Sequence, residues 1–274
     1  MQRRTFLSVM GLVPFLPIDA LAAPQRRILL IYPGTGLVSK PNEELMAAYR
    51  PLEKTIEQLS GEQYLVVLTR SISRTDRLSQ QADLMFVPPT VAAEAIDDGM
   101  VPVVKTKTPA QGYLVARSDW KGKSLKDLSN SDSYIAMTEQ GSWLERMTKL
   151  VLKQNRVDFT GRDQYLRGGQ EDIIACLKRD LVQVGCLRKK AADQIVNSGE
   201  GRMLARLPET PDYTLLASAS MPPESIAKIR NAMLNLPQPV IQALQKGIHA
   251  PVEGFEAASS EEYNLIRQAM ALPA

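Results

Sequence analysis

Residues 133–155 read SYIAMTEQGSWLERMTKLVLKQN. Tyr134–Met137 is a short apolar run of strand type, and Thr138–Gly141 is a polar loop. From Ser142 the pattern changes period. Trp143, Leu144, Met147, Leu150 and Val151 recur at helical spacing and give one apolar face. Ser142 and Glu145 fit a capping box, in which the serine oxygen accepts from the third helical amide. The same strand–loop–helix order can bind an anion. The first amides of a helix have no internal acceptor and carry the positive end of its dipole. From these residues alone a plain capped turn and an anion site both stand.

Working outward, the same alternation returns on both sides. Arg27–Tyr32 is a buried strand ending at Pro33-Gly34-Thr35-Gly36. A helix is predicted from Pro41, with Leu45, Ala48, Tyr49, Leu52, Ile56 and Leu59 as its stripe. Strands are predicted at Tyr64–Leu68, Ala82–Val87 and Val101–Val104. Pro88-Pro89-Thr90 opens a helix after the middle one. This spacing predicts a parallel sheet over the first ~110 residues. Gly112–Ala116 begins a second set. It contains the 133–155 unit, a helix opened by Gly168-Gly169-Gln170-Glu171, a strand at Leu181–Cys186 and a helix at Lys189–Val196. Tyr213–Ala217 is strand-like, and helices follow at Pro222–Leu236, Val240–Leu244 and Tyr263–Met270.

An α/β chain of two lobes is therefore expected. Lobe 1 is assigned to 25–110 plus 207–274 and lobe 2 to 111–206. In open α/β sheets ligands bind beyond the carboxyl ends of strands. The loops at Pro33–Gly36, Pro88–Thr90, Thr138–Gly141 and Gly168–Gln170 all lie at such ends. They would line one cleft and make Thr35, Pro89 and Thr90 candidate ligand contacts.

The first 22 residues, MQRRTFLSVMGLVPFLPIDALA, are an address. A basic start precedes a short apolar run, and Ala20-Leu21-Ala22 supplies a small-x-small cleavage pattern. Arg3-Arg4-Thr5-Phe6-Leu7 resembles the twin-arginine export motif. A periplasmic protein without stable membrane insertion is expected after cleavage. The remaining chain holds 31 basic and 29 acidic side chains, and aromatics make up 5% of the whole. That balance argues against nucleic acid as a partner. The two cysteines, Cys176 and Cys186, are predicted to stay unbridged. A strand of ~3.3 Å per residue carries Cys186 too far from the helix that bears Cys176.

Several segments, in order, resemble the phosphate/phosphite/phosphonate-binding proteins of bacterial ABC importers. Tyr49-x-Pro51-Leu52 is similar to the family's Y-x-P-L helix, Asp83–Pro89 to its D-x-x-F-x-G-P segment, and Ser124–Leu128 to S-L-x-D-L. Gly168–Ile173 is similar to G-S/G-H-E/D-x-x-I, and Leu181–Gly185 lies where the family has V-D-A-G/A. The resemblance implies a two-lobed periplasmic-binding-protein fold of type II with its cleft between the lobes. It implies a monomer that closes on a small anionic or polar ligand and delivers it to a membrane permease, without cofactor, metal or catalytic residue. The alternative is a ligand-sensing subunit that docks on a sensor kinase or another membrane partner. Carried over by position, the resemblance points to Tyr49, Thr138, Glu139, Gln140, Gly141, Ser142, Gln170 and Gln183 as ligand-binding residues. The chain departs from the family at several of them. Glu139 and Gln140 replace hydroxyl residues of the anion loop, Gln170 replaces a histidine, Gln183 an aspartate and Ala92 an aromatic. A carboxylate beside a bound anion is unfavourable unless it points away or meets a donor.

An enzyme has little support. The chain has one histidine, His249, and lacks the motifs of nucleophilic, zinc or phosphoryl-transfer sites.

Overall fold

Every second side chain of the first strand faces a different set of helices, and that alternation organises one half of the molecule. The computed structural model describes residues 26–34, 40–129, 132–159, 161–166, 168–248 and 250–272. The leader, Thr35 and His249 lie outside the described residues. In β1 (Arg27–Ile31), Leu29 and Ile31 pack with α1 (Asn42–Ser60), α7 (Pro223–Leu234) and α8 (Gln238–Gly247). Leu30, and Tyr32 just beyond the strand, face α3 (Pro89–Asp97) and α9 (Asn264–Met270) instead. A period of two in a strand buried on both sides produces this division.

Six strands form the first sheet, in the order β11-β4-β10-β3-β1-β2. They are β2 (Tyr64–Leu68), β3 (Leu84–Val87), β4 (Val101–Thr106), β10 (Thr214–Ala217) and β11 (Phe255–Ala257) with β1. β1 pairs parallel with β2 and β3. β10 runs antiparallel to both β3 and β4, and β11 antiparallel to β4. The sheet is therefore mixed, not parallel as the spacing predicts. The returning chain inserts β10 between β3 and β4, which local spacing cannot foretell. Helix α2 (Ile72–Ser79), capped by Ser71, was also absent from the sequence reading. Its sequence, ISRTDRLS, carries too few apolar residues to draw a stripe.

The second sheet has the order β7-β6-β8-β5-β9. It contains β5 (Gly112–Arg117), β6 (Ile135–Met137), β7 (Asp163–Tyr165), β8 (Val184–Arg188) and β9 (Gly201–Arg206). One face holds α5 (Gln170–Lys178) and α6 (Lys189–Asn197), and the other α4 (Trp143–Gln154). The chain crosses from the first sheet to the second between β4 and β5 and returns between β9 and β10. Two lobes result. Helix α9 packs against α3 of the first lobe and α4 of the second, so one apolar cluster runs from Leu30 through Ile266 to Leu114.

Gly112 shows how tight the crossing is. A Cβ there would lie 2.9 Å from atoms of both Trp143 and Leu144. Both cysteines are free thiols. Cys186 is fully buried beside Thr148, and burial pushes its thiol pKa up to about 12.

Candidate functional site

The stretch at 133–155 folds into β6, a tight loop and α4. Ser142 is the N-cap, and its Oγ accepts from the Glu145 amide at 3.4 Å. Glu145 does not complete the box on the Ser142 amide. Its Oε2 accepts from Gly141 N at 3.3 Å, while Ser142 N donates to the Glu139 carbonyl at 3.1 Å. Glu145 is fully buried, with Lys149 Nζ 2.7 Å from it one turn later. Burial acts to lower the Lys149 pKa, but the bond and charge of Glu145 outweigh it and hold the ammonium above its ordinary value. Gly141 sits at φ +81°, a conformation glycine adopts without strain. The loop is thus clamped from its helix side. The Thr138 and Ser142 hydroxyls, 2.9 Å apart and buried, bond to each other.

These hydroxyls line a cavity of about 40 Å³ between the lobes. The first lobe contributes Tyr32, Gly34, Ile72, Pro88, Thr90 and Tyr213. The second contributes Thr138, Ser142, Trp143, Leu144, Gln170 and Arg188. The volume suits a few waters or a compact ion. All four strand-end loops meet here, through Gly34, Thr90, Thr138 and Gln170. Three helices begin at its wall: α3 at Pro89, α4 at Trp143 and α5 at Gln170. They bring the positive ends of three helix dipoles to the cavity wall.

Arg188 supplies the full charge, and the sequence reading missed it. The strand predicted at Leu181–Cys186 actually pairs from Val184 to Arg188, because Asp180 at φ +60° and exposed Leu181 still belong to the turn after α5. The strand end facing the cleft is therefore Arg188, which the strand-end rule selects once the bounds are right. Its guanidinium lies 4.5 Å from the Trp143 ring centroid, and Nη1 is 2.7 Å from Asp212 Oδ2. Asp212, from the return crossing, is buried, with its side chain 2% exposed. Burial raises its pKa, and Arg188 opposes that rise. Beyond this pair a second cavity, about 280 Å³, is lined by Thr108, Arg188, Lys189 and Asp212 among others.

The other expected residues fall in different places. Gln170 is buried, and its Oε1 accepts from Arg188 N at 2.7 Å, which leaves its amide hydrogens as donors. Glu139 is half-buried, and Tyr32 Oη of the opposite lobe donates to its Oε2 at 3.0 Å. Gln140 is exposed in the turn. Pro89 is the first residue of α3, with Pro88 and Thr90 on the cavity wall. Gln183 precedes β8, at the end opposite Arg188, and its side chain accepts from Tyr134 N at 3.1 Å. Its place is outside the cavity wall: the motif position that selected it lies at the end of β8 away from the cleft. Tyr49 is fully buried behind the first sheet, where its hydroxyl donates to the Gly247 carbonyl. The α1 stripe carries it into the core, away from the cleft. Tyr49→Phe is expected to cost about 1–3 kcal/mol, the range for leaving a buried acceptor unbonded. Ligand affinity should be unchanged, so urea denaturation and a ligand titration on the same sample check both halves.

Among the described residues no cluster of His, Cys, Asp and Glu could hold a metal ion, and no helix is long and apolar enough to cross a membrane. Asp97 pairs with Arg267, and Glu262 with Lys105.

No curated protein matches the chain in sequence. Solved structures match its fold. PhnD1 from Prochlorococcus marinus, in complex with methylphosphonate, superposes with a TM-score of 0.71 at 14% identity, covering 90% of this chain and 97% of that one. A protein from Xanthomonas citri bound to ATP also gives 0.71 at 14% identity, over 89% and 95%. A binding protein component of an ABC phosphonate transporter from Pseudomonas aeruginosa gives 0.67 at 16% identity, over 90% and 86%. The model of the phosphonate periplasmic substrate-binding proteins of ABC transporters matches residues 36–263, most of the chain, and the protein belongs to that family.

Proposed function

We propose that this protein captures a small phosphonate-class oxyanion in the cleft between its lobes and hands it, closed, to the permease of an ABC importer. One observation carries the reading. Three helix starts, two hydroxyls, the Gln170 amide and the Arg188 guanidinium converge on a single interlobe cavity. Such a donor set suits an anion. Thr90, Thr138, Ser142, Gln170 and Arg188 are the proposed contacts, with Gly141 shaping the loop. Tyr32 and Glu139 join the lobes at the rim. Capture then works by lobe closure around a fixed site.

A thermal-shift screen of oxyanions, phosphonates and organic acids tests the reading. A true ligand at ~100-fold over its Kd stabilises the native state by about 2.7 kcal/mol. Absence of any stabilised pairing across that screen would count against a solute-binding role.

The same proposal includes export as a folded monomer by the twin-arginine route, on the strength of Arg3-Arg4 and Phe6-Leu7. Replacing Arg3 and Arg4 together with Lys is expected to leave nearly all of the precursor uncleaved in the cytoplasm. Cell fractionation checks this, and unimpaired export of the double variant would assign the leader to the general secretory route.

A further inference from the structure

We propose that the second cavity, beyond the Arg188–Asp212 pair, is a separate site for a small amino acid bound as its zwitterion. The site does not depend on the oxyanion reading of the cleft. Its wall draws on both crossings between the lobes, with Thr108 on the outgoing segment and Asp212 on the return. Lys189 and Lys190 come from the start of α6 in the second lobe. At about 280 Å³ it has room for a molecule of several heavy atoms, whereas the cleft cavity of about 40 Å³ has room for a compact ion.

Two oxygens on this wall are unsatisfied. Asp212 Oδ2 is bonded to Arg188, but Oδ1 of the same carboxylate is buried and has no hydrogen-bond partner among the described residues. Thr108 Oγ1 is in the same condition. A buried carboxylate oxygen without a donor is costly, and an ionised donor meets it best. An ammonium carries three hydrogens and can serve both oxygens, whereas a hydroxyl carries one. The remaining charges define the other end of the molecule. Arg188 is paired with Asp212, and Lys189 with Asp193 at 2.6 Å. Lys190 is exposed and has no ion-pair partner among the described residues. Three cations thus stand against two carboxylates, so a plain amine meets a net positive wall. A carboxylate on the same molecule answers Lys190. Between the two ends Pro109 and Pro251 offer apolar surface to a short carbon chain. Ammonium, short chain and carboxylate together describe an amino acid.

The test titrates glycine, β-alanine and 4-aminobutanoate into the purified mature protein by calorimetry, with propionate and propylammonium as single-ended controls. At least one amino acid should bind saturably, with a Kd at least about tenfold below that of either control. Thr108→Val, which removes one oxygen at nearly constant volume, should raise that Kd about tenfold. Lys190→Ala, at an exposed position, should raise it about fivefold. Neither residue lines the cleft cavity, so the affinity for methylphosphonate should be unchanged in both variants. Saturating methylphosphonate should not displace the amino acid. Absence of saturable binding by all three amino acids would overturn the inference and leave Asp212 Oδ1 to water. Equal binding of propylammonium, competition with methylphosphonate, or an unaltered Kd in either variant would also overturn it. Amino-acid binding that both variants weaken, in a protein that does not bind methylphosphonate, would uphold this site while the oxyanion reading falls.

Discussion

Arg188→Ala is expected to lower stability by about 3 kcal/mol at neutral pH and to weaken oxyanion binding by more than about tenfold. The stability loss comes from Asp212. Its side chain is almost wholly buried and its Oδ2 bond to Arg188 is the ion pair that compensates it. Removing the guanidinium strands a carboxylate in a low-dielectric site, the case in which breaking a buried pair is most costly. The sign of the pH dependence follows. Burial already holds the native Asp212 pKa above that of the unfolded chain. Between those two values the native state binds more protons, so stability falls as pH rises through the window. Without Arg188 the native pKa rises further and the window widens upward. The variant should therefore regain stability on acidification, and adding Asp212→Asn should restore most of it at neutral pH. Urea denaturation at neutral and mildly acidic pH measures this. A cost that does not shrink in acid would mean that lost packing on Trp143, not the stranded charge, is the cause.

Gly141→Val should weaken ligand binding by more than about tenfold while the fold survives. The residue sits at φ +81°, where a β-branched side chain costs about 1–3 kcal/mol. A Cβ would already lie 3.5 Å from Ile72 Cδ1 of the opposite lobe, so the branches would crowd that side chain. The loop can relieve the strain only by shifting. A shift breaks the Gly141 N bond to Glu145 and moves the Thr138 and Ser142 hydroxyls off their positions. Circular dichroism should remain that of the wild type. An unchanged Kd would show that the loop does not hold the ligand.

The contrast between these two residues shows what was legible in the chain. Gly141 was read from sequence because a strand, a polar loop and a capped amphipathic helix follow each other locally, and each has its own period or cap. The same local logic located β2, α3 and α6 and brought four strand-end loops to one cleft. Arg188 was missed because a boundary error of two residues is invisible in an alternating apolar run, yet here it ends the strand at Cys186, short of the Arg188 that stands at the functional end of β8. Strands β9 and β11 were missed at the sheet edges, β11 because it has only three residues and β9, six residues long, because its alternation is weak. Tyr49 was selected by motif, but the α1 stripe faces the core behind the sheet. Glu139 looked unfavourable beside an anion. Its partner Tyr32 lies 107 positions earlier, and only the folded lobes bring them together.

In the proposed function one oxyanion is held by the hydroxyls and helix start of the β6–α4 loop. Calorimetric titration of methylphosphonate into the wild type and into a Thr138→Val/Ser142→Ala double variant tests it most directly. The hydroxyls are worth about 1.5–3 kcal/mol each toward a charged acceptor, whereas losing the Ser142 cap costs the fold only about 1 kcal/mol. The expected result is saturable binding of one ligand per wild-type chain and a Kd raised by about a hundredfold or more in a variant that still folds. Equal affinity in the two proteins, or no saturable binding to the wild type, would contradict the account.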